Sequence, residues 1–435
     1  MAADGHASTL AGRVGALVDR LARSPVASLA AIAVVALACY VPGFSTLPPL
    51  DGVEPGHMVA ARAMVESGDY AAIRLQTANR TWSPRGAYWA EALAITLAGQ
   101  GGDPPAWVYR LPSLIAAVAA CLLTWWAAMA FGRPRAALLA GLLMAASGVA
   151  ALMARQASPD SLTLAAATVA AGALARVWLG EARPSDSRLA WLFWAALGAG
   201  VLVNGLVLPA TFAATIVLLS IERGQFGWLT RLRPRRGMVV LLVAIMPWAL
   251  AVALTYLGGA AAEAPSAETL ARLSVPFSLK AAPGTYILFT PLLLGPALAF
   301  LCLGMAWIVD DLRRPVVFFT LAWAGPLWLA AEFVEAKLPQ VVLPVIPAIA
   351  IVTGAAIDAG AARVAGWARR LVSVGPVLWR WGLAFAAPFI FLALQGHFPF
   401  SAFLVFLLAA AAGIVAWLWL MRGEAWRSVT PAERP

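Results

Sequence analysis

Asp51 and Glu54 stand three residues apart, just ahead of a helical pattern. A carboxylate so placed can act as general base towards a hydroxyl or amine. The same spacing also suits a capping box, and Pro55 suits a first helical position with Glu54 as cap. Asp160 poses the same choice. It follows Ser158-Pro159 at a second helix start, where it caps the helix or supplies a second carboxylate to a shared site. Arg155, five residues earlier, is its nearest candidate partner.

Cations are the other half of such chemistry. The chain has two lysines, Lys280 and Lys337. Lys337 lies in Glu335-Ala-Lys-Leu-Pro-Gln340 between two apolar runs, where it either holds a lipid phosphate or snorkels to the interface. Arg62, Arg74, Arg80, Arg85 and Arg110 all fall in the long segment 45–111. An anionic ligand would explain so much positive charge there. Asn204-Gly205 reads as a helix break. His6, His57 and His397 are too scattered to form a zinc site, and Cys39, Cys121 and Cys302 read as small buried hydrophobes. The residues call for no cofactor, and a divalent metal stays open.

The elements that position these residues must be membrane helices. Of 435 residues, 62% are hydrophobic and 12% charged, against about 45–50% apolar and about 25% charged in soluble domains. The expected fold class is an all-α integral membrane protein, a bundle of about 12 transmembrane helices. Spans are expected at 26–44, 112–131, 136–153, 161–179, 189–204, 206–222, 238–257, 284–308, 316–334, 341–360, 381–396 and 399–421. An amphipathic stretch, 1–25, precedes the membrane domain 26–421, and a tail, 422–435, follows it.

Arginines set the orientation. Arg133/Arg135, Arg183/Arg188, Arg223 to Arg236, Arg313/Arg314 and Arg363 to Arg370 occupy alternate connections. The positive-inside rule then puts both termini in the cytoplasm and 45–111, 154–160, 258–283 and 335–340 outside. Residues 54–67 and 86–99 read as amphipathic helices lying at the outer interface. The net charge of +10 is spread over helix ends, which fits anionic membrane lipids rather than nucleic acid.

The stretch Pro49-Leu-Asp-Gly-Val-Glu-Pro-Gly-His-Met-Val-Ala-Ala-Arg-Ala-Met-Val-Glu-Ser-Gly-Asp-Tyr70 is followed in order by Ile73-Arg-Leu-Gln76, Ala87-Tyr-Trp89, Tyr109-Arg-Leu-Pro-Ser113, Ala154-Arg155 with Asp160, and Lys337-Leu-Pro339 with Pro344 and Pro347. In this order the chain resembles the protein O-mannosyltransferase and aminoarabinose transferase superfamily. These are bacterial polyprenyl-phosphate-sugar glycosyltransferases of the GT-C fold. The resemblance implies a GT-C-like bundle whose first periplasmic loop covers a lipid-accessible cavity. It implies Glu54 for the acidic motif, with Asp51 beside it, Asp160 as the second loop acid and Lys337 for phosphate contact. Arg80 and Arg85 would stabilise the leaving phosphate, and His57 and Arg155 lie in matched stretches as further substrate-binding residues. Val53, Gly56, Trp82, Ser83 and Asn204 stand where the family pattern has other residues, among them the first acid of its Asp-Glu pair and two lysines.

The implied function is transfer of a sugar from a polyprenyl-phosphate donor to a lipid, glycan or protein acceptor, at the periplasmic face of a bacterial inner membrane. A member that binds a lipid phosphate or partner protein without transfer is the alternative. A secondary transporter is the third reading, and it would place ionisable residues at mid-membrane. The expected spans are nearly free of them.

Overall fold

The computed structural model describes residues 13, 15–49, 53–71, 73, 84–99, 103–180, 187–257, 279–280, 286, 308, 312–333, 336–337 and 339–359. All of them fall in one unit of the chain, Met1–Arg369. The expected spans 284–308, 381–396 and 399–421 therefore lie almost wholly outside the described residues, as do Asp51 and Arg80.

The described part is helical. Its α-helices are α1 (Pro25–Tyr40), α2 (Val53–Ser67), α3 (Gly86–Leu97), α4 (Ala106–Met129), α5 (Pro134–Ala145), α6 (Gly148–Met153), α7 (Asp160–Leu179), α8 (Arg188–Asn204), α9 (Val207–Arg223), α10 (Pro234–Leu257), α11 (Pro315–Phe333) and α12 (Ile346–Asp358). A two-residue antiparallel ribbon joins β1 (Leu279–Lys280) to β2 (Ala336–Lys337). Among the described residues, four stretches are long and apolar enough to cross a bilayer: α4, α7, α11 and Gln340–Asp358. Shorter apolar helices, α1, α5 and α8, pack among them. The chain is a multi-pass membrane protein. On α10, Val239, Leu242, Val243, Met246 and Leu250 are exposed at helical spacing, the stripe expected of a lipid-facing surface.

Two boundaries differ from the sequence reading. Helix α4 starts at Ala106, not 112, and runs through Pro112. The charge of Arg110 and the proline both argue for a later start, yet the charge is paired and the proline lies in the second turn. The expected span 136–153 is split into α5 and α6 at Ala146-Ser147, because Ser147 takes an extended conformation with φ −67° and ψ 125°. The break at Asn204-Gly205 is present, with Gly205 at φ 65°.

Helices approach closely through small residues, as membrane bundles require where apolar side chains gain little by leaving lipid. Helix α12 meets α5 at Gly354. A Cβ there would stand 2.7 Å from Ala136 O and 2.8 Å from Ala140 N, both backbone atoms. In an exposed helix Gly to Ala gains about 1 kcal/mol. Here the sign is expected to reverse. Gly354→Ala should cost about 1–3 kcal/mol in reversible unfolding, as overpacked cores do, and a variant as stable as wild type would show that the two helices part easily.

Away from the candidate site, the opposite end of the bundle is fastened by charge. Arg133 Nη1 lies 3.2 Å from Asp358 Oδ2, and Arg135 Nη1 3.1 Å from Asp19 Oδ1. Arg176 donates to the carbonyls of Gly172 and Trp126 and lies 4.1 Å over the Trp126 ring.

Candidate functional site

At the other end, α2 and α3 lie against the first turns of α4 and the turn before α7. The expected amphipathic helices 54–67 and 86–99 appear as α2 and α3. Their apolar sides pack in two groups. Ala61 joins Ile95, Val108, Tyr109 and Ala157, while Ala60 and Met64 join Ile73 and Tyr88. Tyr70 and Ala71, just after α2, are held from the start of α3. Arg85 Nε donates to Ala71 O at 2.6 Å, and Trp89 Nε1 donates to Tyr70 O at 2.8 Å.

Glu54 lies on the inner side of α2 and is 1% exposed. Its carboxylate meets Arg110, which is wholly buried. Arg110 Nε donates to Oε1 at 2.6 Å and Nη2 to Oε2 at 3.2 Å. The Ala157 N–H donates to Oε1 at 3.1 Å. The rest of the guanidinium donates to the carbonyls of Phe44, Leu47 and Pro48. One buried ion pair therefore joins the segment after α1, the start of α2, the first turn of α4 and the turn before α7. The guanidinium's donors all meet acceptors, which offsets the cost of burying such a pair. The sequence offered Glu54 as a cap or a base. The structure shows its carboxylate bound across the fold to Arg110.

His57, one turn further along α2, belongs to a second pair. Its Nδ1 is 3.1 Å from Glu91 Oε1 of α3, and its ring stacks on Tyr88 with centroids 4.3 Å apart and planes 7° from parallel. The two side chains are 8% and 2% exposed. Glu91 Oε2 is buried and has no hydrogen-bond partner. Burial pushes the Glu91 carboxyl above the usual carboxylate range; His57 pulls it back and the charge of Glu54 adds to the rise. Burial also lowers Arg85, against the opposing influence of Tyr88 and Asp69.

The turn before α7 carries Asp160 and Arg155. Asp160 opens α7, half-buried, and its N–H donates to Ser158 Oγ at 3.4 Å. Ser113 Oγ donates to Ser158 O at 3.2 Å, tying this turn to α4. Arg155 donates to the carbonyls of Pro42 and Ala151, at 2.8 and 2.6 Å, and to that of Cys39. Its recorded partners are thus backbone at the end of α1 and along α6, not Asp160. Lys337 pairs in register with Leu279, and Lys280 with Ala336, so the chain's two lysines share one ribbon.

The structure thus gathers Glu54, His57, Arg85 and the turn holding Arg155 and Asp160 at one end of the bundle. Two partners were not singled out from sequence as such: Arg110 for Glu54, and Glu91 for His57. Glu91 did carry a signal, since it is the one charged residue in Gly86-Ala-Tyr-Trp-Ala-Glu-Ala-Leu-Ala-Ile-Thr-Leu97. A lone ionisable group in an apolar helix needs a partner. Among the described residues no group of three or more His, Cys, Asp or Glu side chains is gathered as for a metal ion.

Comparison with known proteins extends this description. The family model for dolichyl-phosphate-mannose-protein mannosyltransferase matches residues 83–250, from just before α3 into α10. No curated protein matches the chain. ArnT from Cupriavidus metallidurans, in the apo state, superposes with a TM-score of 0.66 at 22% identity, over 83% of this chain and 64% of that one. The same protein bound to undecaprenyl phosphate gives 0.63 at 22% identity, over 85% and 72%. The archaeal oligosaccharyltransferase AglB from Archaeoglobus fulgidus, in complex with an inhibitory peptide and a dolichol-phosphate, gives 0.56 at 11% identity, over 77% and 50%. The chain thus spans under two thirds of the apo ArnT chain and half of AglB. By its bundle and its loop helices this chain is a membrane protein that shares the fold of ArnT, and over 83–250 it is similar to the dolichyl-phosphate-mannose-protein mannosyltransferase family.

Proposed function

We propose that the protein is a membrane glycosyltransferase. It takes a sugar from a polyprenyl-phosphate donor and passes it to a lipid, glycan or protein acceptor at the periplasmic face of a bacterial inner membrane. The observation that carries this reading is the shared fold with ArnT, which binds undecaprenyl phosphate in one of its structures. The family match over 83–250 adds to it. The arginines at alternate connections support cytoplasmic termini, with α2 and α3 outside.

In this reading the donor's phosphate leaves as the acceptor attacks the anomeric carbon in line. Arg80, Arg85 and Lys337 are the cations proposed for that phosphate, and Asp51, Glu54 and Asp160 the carboxylates proposed for the site. His57 and Arg155 complete the proposed binding residues. Purified protein in nanodiscs, given radiolabelled undecaprenyl-phosphate sugars and extracted envelope lipids, is expected to yield labelled lipid or glycan. Absence of transfer from every donor, together with an unchanged envelope-glycan profile in a deletion strain, would sink the proposal.

One observation favours a second reading. Both oxygens of Glu54 are engaged by Arg110, which fits a family member that binds a lipid phosphate without transferring a sugar. Saturable undecaprenyl phosphate binding with no turnover would decide for it.

A further inference from the structure

Transfer to a hydroxyl or amine releases a proton, and the described carboxylate nearest to hand, Glu54, is closed off by Arg110 and the Ala157 N–H. His57 and Glu91 offer a different acceptor. A carboxylate held against Nδ1 fixes the imidazole with its hydrogen on that nitrogen, leaving the Nε2 lone pair as the basic position. The stacked Tyr88 ring fixes the plane of the imidazole. Glu91 makes its one recorded polar contact with this ring, and its second oxygen is buried without a partner. A purely structural tie between α2 and α3 has no need of a buried, half-satisfied carboxylate.

Among the described residues, the charged and titratable groups around the pair are Glu91 and Tyr88 on α3, Arg85 at its N-cap, Glu54 on α2 itself, and Tyr109 and Arg110 on α4. The Arg110 charge is matched by Glu54, so the carboxylate that bears on the imidazole is Glu91. His57 also stands one helical turn from residue 53, which is Val.

Resting on the transferase reading above, we infer that His57 is the catalytic base of the transfer and that Glu91 positions it. The acceptor oxygen or nitrogen forms its bond to the anomeric carbon. The bond from that carbon to the phosphate oxygen breaks, and its electron pair leaves with the polyprenyl phosphate. The acceptor's proton passes to Nε2 of His57, which returns it to water after the product leaves.

The test uses the full chain in nanodiscs with an undecaprenyl-phosphate sugar, assayed between about pH 5 and pH 9, the range across which an imidazole titrates. Wild type is expected to lose rate on the acid side, as the imidazole takes up its proton. His57→Gln is expected to lower kcat by about 100-fold or more with KM little changed, and to abolish the acid limb. Glu91→Gln is expected to lower kcat less, with KM little changed, because the imidazole remains but its hydrogen is no longer held on Nδ1. His57→Gln with wild-type kcat and an unchanged acid limb overturns the assignment and leaves the transferase reading standing. Wild-type protein that transfers from no donor overturns the transferase reading itself.

A second measurement needs no turnover. With His6 and His397 replaced by Gln, diethyl pyrocarbonate reports on His57 alone. Undecaprenyl phosphate is expected to slow its acylation in proportion to occupancy. Acylation at an unchanged rate under saturating lipid overturns the placement of His57 at the donor site.

Discussion

Arg110→Met is expected to destabilise the protein by about 3–5 kcal/mol, the usual result of removing one partner from a buried ion pair. Glu54 would stay at depth without its cation, and the carbonyls of Phe44, Leu47 and Pro48 would lose their donor. The loss should be local before it is global. The segment 44–48, the start of α2 and the turn before α7 all depend on this guanidinium, directly or through Glu54. Limited proteolysis should therefore cut 45–105 earlier than the helices of the bundle.

The double variant Glu54→Gln/Arg110→Met separates two explanations. If the penalty is an uncompensated charge, the double variant should recover a large part of it, because replacing both members of a buried pair is often close to neutral. If the penalty is lost packing, the double should be no better than Arg110→Met. Thermal unfolding in nanodiscs, followed by intrinsic tryptophan fluorescence, reads both. An Arg110→Met protein that melts with wild type would refute the role given to the pair.

Arg155→Ala is expected to cost about 3 kcal/mol, since hydrogen bonds from a charged donor contribute about 1.5–3 kcal/mol each and do not add fully. Its guanidinium satisfies carbonyls that α1 leaves open at Cys39 and Pro42 and one in α6 at Ala151. Arg155→Lys should recover less than half of the loss, because one ammonium cannot span three carbonyls set apart by the planar fork. Arg155 and Arg110 grip the same piece of chain, 39–48, from two sides. Their double substitution should depart from additivity, as neighbouring sites do, by about 0.5–3 kcal/mol. Equal stability of Arg155→Lys and wild type would show that charge alone suffices there. If the donor-binding role of Arg155 is the larger one, Arg155→Lys should instead impair lipid binding while melting normally.

The loop helices show how far the residue pattern reaches. Met58, Val59, Met64 and Val65 were enough to place a helix over 54–67, and the structure has one at Val53–Ser67. The charges on it were harder. Glu54 beside Pro55 has the local look of a cap, because capping is a rule about neighbours in sequence. Its partner Arg110 lies 56 residues away, and no local rule connects the two. Arg155 shows the same limit. Asp160 is its nearest acid in sequence, yet its donors reach back to Cys39 and Pro42. The start of α4 was missed for a related reason: Arg110 looks like a residue that ends a span until its counter-ion is in view.

Composition and periodicity by themselves determined that this chain is a bundle of apolar helices with a cationic loop carrying two amphipathic helices. Those properties follow from the cost of leaving apolar surface in water and backbone groups unpaired in lipid, and both costs are local to a segment. Tertiary structure alone decided which charges meet. It drew Glu54 to Arg110 and His57 to Glu91, because an ionisable group that goes below the surface must find a partner wherever the fold brings one. Glu54 is buried while Asp160 is half-buried, a division that spacing along the chain does not encode.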